Sequence, residues 1–191
     1  MGYEAVRPAR GAGTAATVLI WVAAASEAVI AVQLWAAVEG DPATFAWWFS
    51  LAVHVTAGIA FVVWMSQTRL NSDVITSKHQ HRFTNMWVFV GWILPFANLY
   101  IPYAVMQDIW RGSDRARPQV ALRQRPQSQL ITAWWICFMA SNVLASVPGP
   151  DVVTWGTLSA GLGVVAAMLC GRMIRQVNDR QAAEQPLTAG A

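Results

Sequence analysis

The chain has 191 residues, of which 55% are hydrophobic and only 12% charged, against about 25% charged in soluble domains. That balance excludes a soluble globular protein and predicts an all-α integral membrane protein; no stretch outside the apolar runs is long enough to fold as a soluble domain. The net charge of +3 is modest, yet all 13 basic residues sit in the termini or in two long loops, while the two short loops carry only acids.

Residues 1–13, with Arg7 and Arg10, read as a cytoplasmic arm. Residues 14–37 form the first span, near the ~20 residues that cross ~30 Å of hydrocarbon. Its start imitates a secretory signal, with two arginines and small residues at 23–25, but apolarity continues to Ala37, which predicts an uncleaved anchor. Glu27 lies at the centre of this span. Gly40 and Pro42 then make a tight turn that sets the second span, 45–65, antiparallel to the first. His54 is at its centre. The next loop is basic, with Arg69, Lys78 and Arg82. It also holds a His-x-His, His79 and His81, near Asp73; without a third ligand at a recognisable spacing, this reads as a solvated loop and not as a metal site.

Residues 86–110 are apolar enough to enter a bilayer, but Pro95, Asn98 and Pro102 break them in the middle. The loop that follows carries Arg111, Arg115, Arg117, Arg123 and Arg125. If 86–110 spanned, the basic residues would divide five to eight across the membrane; if it turns back, all 13 lie on one side. The positive-inside rule selects the second arrangement. The predicted fold is therefore four transmembrane helices plus a re-entrant, broken-helix hairpin between the second and third, with both termini cytoplasmic. Taken as two helical halves of about 12 and 18 Å, the hairpin would reach the midplane, with Asn98 as N-cap of its second half.

The third and fourth spans are 130–147 and 153–171, completing a membrane domain over 14–176, and 177–191 read as a frayed cytoplasmic tail. In the fourth, Ser159, Gly163, Ala167 and Gly171 recur every four residues and give one face a small-residue stripe, suited to packing within the bundle or to homodimerisation. Cys137 and Cys170 fall inside spans and read as free thiols. Trp35, Trp47, Trp48 and Trp155 fall near one set of span ends, and Trp64, Trp87, Trp110, Trp134 and Trp135 near the other, as in interfacial aromatic belts.

Two groups of residues carry a resemblance. The first is Trp64, Arg69 and Asn71; the second is Gly91, Trp92, Pro95, Asn98, Pro102, Trp110, Ser113 and Asp114. In these the chain resembles an actinobacterial membrane family known as domain of unknown function 4328. Gln67 and Arg115 depart from its pattern, at positions where a basic residue and a proline are common. The resemblance implies a multi-pass protein of a bacterial plasma membrane and no known activity.

Matching depths bring Glu27, His54, Asn98, Ser141 and Asn142 to one level as a candidate midplane cluster. Such a cluster is a ligand, proton or ion site, or a structural hydrogen bond that pins the bundle. The five loop arginines are candidates for anionic headgroups, where each gains ~1 kcal/mol, or serve as a topology signal only. There is no Gly-rich phosphate loop, no nucleophile with its base and no nucleic-acid-binding module, so no cofactor or nucleic-acid partner is expected. The expected partners are the bilayer, a second copy or another membrane protein. The expected role is a non-catalytic accessory or scaffold protein, with a small transporter or lipid- or ligand-binding protein as the alternative. An intramembrane enzyme, with Glu27 and His54 as acid and base, comes third.

Overall fold

The computed structural model describes residues 8–37, 40–76, 80–117, 120–149 and 151–182. These form seven α-helices, with no strand among the described residues: α1 (Arg10–Trp35), α2 (Asp41–Thr76), α3 (Trp87–Ile93), α4 (Pro95–Asn98), α5 (Ile101–Gly112), α6 (Gln129–Ala145) and α7 (Val152–Ala182). A 3-10 turn at Leu122–Gln124 precedes α6. Three helices, α1, α2 and α7, are long and apolar enough to cross a membrane; α6 is apolar and has 17 residues, which is about 25 Å.

The long helices lie in the order α2, α1, α7, α6, each packed along the next. The broken segment fills the remaining side, with α5 set against α2, α3 and α6. Two helices run past their expected ends. α2 continues from residue 65 to Thr76 and α7 from 171 to Ala182, each an extension of about 16 Å. Residues 177–182, expected as tail, are therefore helix, with Val177 and Gln181 buried; residues 183–191 lie outside the described ones. At the other terminus α1 already begins at Arg10, inside the expected arm.

The tryptophans divide differently from two belts. Trp35, Trp47 and Trp48 are exposed as expected, but Trp64, Trp134 and Trp135 are buried. They stack with Phe61, Trp92 and Phe138 into an aromatic core joining α2, α3 and α6. Large rings there fill the space that the hairpin would otherwise leave open.

The small-residue stripe is taken up inside the bundle. Ser159 and Ser141 exchange hydroxyl-to-carbonyl hydrogen bonds of 2.9 Å between α7 and α6. A Cβ at Gly163 would meet Ser141 Oγ at 3.5 Å, and one at Gly171 would meet Thr17 of α1 at 3.4 Å. Ala167 is buried between them in sequence. Small residues here let α7 approach two neighbours at once.

Candidate functional site

Glu27 and His54 do come together. Ser50 Oγ donates to Glu27 Oε1 at 3.0 Å, and His54 Nδ1 lies 2.8 Å from the Ser50 carbonyl one helical turn back. Ser26 Oγ lies 3.0 Å from Ser50 Oγ, extending the chain of polar groups from α1 to α2. His54 Nε2 is 3.6 Å from Glu27 Oε1, outside hydrogen-bonding distance. Ser26 and Ser50 were not anticipated, although Ser50 precedes His54 by four residues and so shares its helix face.

The other three members of the expected cluster part company. Asn142 is exposed and donates to the Phe138 carbonyl of its own helix at 2.7 Å. Ser141 is bound to Ser159, and Ser159 does line the same cleft as Glu27 and His54. Asn98 joins neither group. It is the last residue of α4; the N-cap of α5 is Tyr100, without a side-chain hydrogen bond.

The hairpin is too shallow to bring Asn98 to Glu27. Trp135 donates to the Leu99 carbonyl at 3.3 Å, and Trp135 is only about 9 Å along α6 from its start. Trp92 of α3 meets Phe61 edge to face, and Phe61 is about 10 Å along α2 from His54. At the tip Ile93, Phe96, Leu99 and Tyr100 are exposed, Phe96 at 89%. The tip thus turns apolar side chains outward.

The cleft has a volume of about 420 Å³ and opens among the ends of α1 and α6 and the starts of α2 and α7, at the end that carries the acidic turns. Glu27, Ser50, His54 and Ser159 supply its polar groups, and Trp47 and Trp155 are its aromatic walls.

At the opposite, basic end the family-marked residues meet in one buried polar lock. Trp64 donates to Asn178 of α7 at 3.0 Å. Asn71 donates to Gln181 Oε1 at 3.0 Å, while Gln181 Nε2 donates to the Thr68 carbonyl at 2.8 Å and to Ser113 Oγ at 2.9 Å. One glutamine amide, 4% exposed, therefore ties α7 to α2 and to the end of α5. Arg180 lies over the Trp110 ring at 3.5 Å, a cation–π contact between α7 and α5. Gly91 allows α3 to meet α5, since a Cβ there would lie 3.0 Å from Ile101 Cγ2.

Arg82 reaches from the loop onto α5. Its Nη2 donates to Asp108 at 2.8 Å and to the Ala104 carbonyl at 3.1 Å, and its Nε contacts both Asp108 oxygens at 3.1 Å. Arg69 pairs with Asp73 one turn on and donates to the Phe83 carbonyl at 3.0 Å; Asn85 donates to Asp73 at 3.0 Å. Gln107 of α5, fully buried, exchanges two 2.9 Å hydrogen bonds with the Ser128 backbone and so fixes where α6 begins. Neither Gln107 nor Gln181 was singled out by spacing, because a buried amide leaves no local signature.

Two expectations about loop residues change. His81 is not solvated: its side chain is 1% exposed, 3.2 Å from Ser72 Oγ and 3.5 Å from Asp73. Burial, and then the nearby Arg69 charge, push its pKa down to about 4. His79 lies outside the described residues. Of the five loop arginines, Arg111 and Arg125 are buried. Arg125 donates to the Arg111 carbonyl at 2.8 Å and to Thr76 Oγ1 at 3.1 Å, adding a charged donor to a carbonyl at the end of α5. Arg115 donates to the Gln181 carbonyl at 3.2 Å. Arg117 and Arg123 remain exposed, so the surface open to headgroups is narrower than five residues.

This combination, apolar helices of membrane-crossing length locked at one end by a polar network, defines a helical membrane-type bundle. The chain belongs to the family described as Domain of unknown function (DUF4328), whose profile matches residues 34–179. No curated protein and no solved structure matches it.

Proposed function

We propose that the protein is a four-span membrane protein of a bacterial plasma membrane, with both termini and the basic loops cytoplasmic, and that it acts as a non-catalytic accessory or scaffold protein. In this reading α1, α2, α6 and α7 span, and α3 to α5 form the re-entrant hairpin. The observation that carries the scaffold role is the use made of the family marks. Trp64, Asn71 and Ser113 tie two helix extensions and the hairpin together, and they stand apart from the cleft that holds Glu27 and His54. A body held by that many buried hydrogen bonds presents a fixed surface, which is what a binding partner needs to dock without an ordering cost. Arg117 and Arg123 are among the exposed charges at that end.

A photo-crosslinking side chain at Arg123 should give a discrete protein adduct in cells, and one at the exposed Ile59 of α2 should give lipid adducts. Lipid adducts alone at Arg123 would sink the scaffold reading and leave this loop to anionic headgroups. A second reading, a ligand-binding or transport role, is favoured by one observation, the cleft containing Glu27 and His54.

A further inference from the structure

We infer that the cleft is a binding site for a small monovalent organic cation with an apolar body. The inference rests on the ligand-binding reading and names the ligand's chemistry.

Charge is the first argument. His54 Nδ1 is held against the Ser50 carbonyl at 2.8 Å, which that atom can meet only as a donor. Its Nε2 stands 3.6 Å from Glu27 Oε1, beyond hydrogen-bonding distance. Glu27 then has one donor, Ser50 Oγ on Oε1, and Oε2 has no hydrogen-bond partner among the described residues. The Glu27 side chain is 35% exposed and lines the cleft, so a cation entering there can reach the oxygen that carries no hydrogen bond.

The walls are the second. Besides Glu27, Ser50, His54 and Ser159, the lining is aliphatic or aromatic, and Trp47 and Trp155 both face the cleft. Indole faces attract organic cations. A volume of about 420 Å³ lies within the ordinary ~300–1,000 Å³ of small-molecule sites.

The field around the mouth is the third. The turns at this end carry Asp41 and Asp151 and no Lys or Arg. Acidic residues around a cleft with low-dielectric walls draw in cations and repel anions. The same chemistry, a positive centre on an apolar body, could arrive as a free small cation or as the ammonium headgroup of a lipid.

Tetraphenylphosphonium and tetraphenylborate, nearly alike in shape and opposite in charge, make the test by equilibrium dialysis of the purified full chain in nonionic detergent. The phosphonium should bind saturably at one site per chain, and the borate should not. Glu27→Gln should weaken phosphonium binding roughly ten- to hundredfold, as loss of one partly desolvated charge contact does. Ala145→Phe, which fills the cleft from α6 without touching a charge, should abolish binding while thermal unfolding stays at the wild-type temperature. If phosphatidylethanolamine displaces the probe, a lipid headgroup is the source; if it does not, the source is a free cation. Equal binding of both ions, lost in Ala145→Phe, would overturn the cation inference and leave the ligand-binding reading standing. Phosphonium binding unchanged in Glu27→Gln, or no saturable binding of either ion, would also overturn it.

Discussion

Asp108→Ala should cost about 3–5 kcal/mol of stability in detergent, as breaking a buried ion pair from one side does. Asp108 is 2% exposed and receives the Nε, Nη2 and backbone N–H of Arg82, with Arg111 a turn away at 3.9 Å. Removing the carboxylate deprives both Arg82 and Arg111 of the counter-charge they share. It also frees Arg82, which otherwise clasps α5 from the Tyr100 hydroxyl to Asp108. The loss should therefore be local first: amide exchange should accelerate in α3 to α5 before α1 and α7. Asp151→Asn, in an exposed turn, should stay within about 0.5 kcal/mol of wild type. A loss under 1 kcal/mol for Asp108→Ala would show that the lock does not hold the hairpin.

Acid should loosen the same region through His81. Its pKa falls from 6.5 to about 4 on folding, because burial and the Arg69 charge disfavour the imidazolium. The unfolded chain therefore binds more protons than the folded chain between these values, and stability falls as pH drops below the unfolded pKa of 6.5. The full shift corresponds to about 3 kcal/mol, most of it lost by pH 4.5. Wild type and His81→Gln should be compared by unfolding at pH 7.5 and 4.5, so that carboxylate effects common to both cancel. Wild type should lose roughly 2–3 kcal/mol more than the variant. Equal losses would mean that His81 does not titrate in this window. Tight contacts surround it: a Cβ on Gly112 would lie 1.9 Å from Ser72 Oγ and 3.0 Å from His81 Cε1.

The helices were legible because an apolar run of ~20 residues has few other uses, and the break at Pro95 was legible because proline cannot continue a helix already under way. Both halves of the Glu27 and His54 pair could be placed by counting residues along adjacent antiparallel helices. The same counting failed for Asn98, since it assumed that the two half-helices stand upright. Instead α4 forms a separate turn between Leu94 and Leu99, and the tip stays level with Trp135. The arginine loop misled for another reason. Charge beside a membrane predicts which side a loop occupies, but whether Arg125 faces water or the carbonyls closing α5 depends on tertiary packing that no spacing records. The lock was similarly hidden. Its motif positions were visible as a resemblance, while the partners that explain them, Gln181, Asn178 and Arg180, lie far away in sequence or look like ordinary surface residues.

Under the proposed topology every basic loop should lie on one side of a membrane, and the segment from α3 to α5 should return to the side it left. Single cysteines at Ala36, Thr84, Arg123 and Asp151, all exposed positions, can be placed in a Cys137→Ser, Cys170→Ser background and probed in whole cells with a membrane-impermeant thiol reagent. Ala36→Cys and Asp151→Cys should react in intact cells, and Thr84→Cys and Arg123→Cys only after permeabilisation. Labelling of Arg123→Cys in intact cells, with Thr84→Cys still protected, would mean that the segment crosses the membrane and would contradict the account.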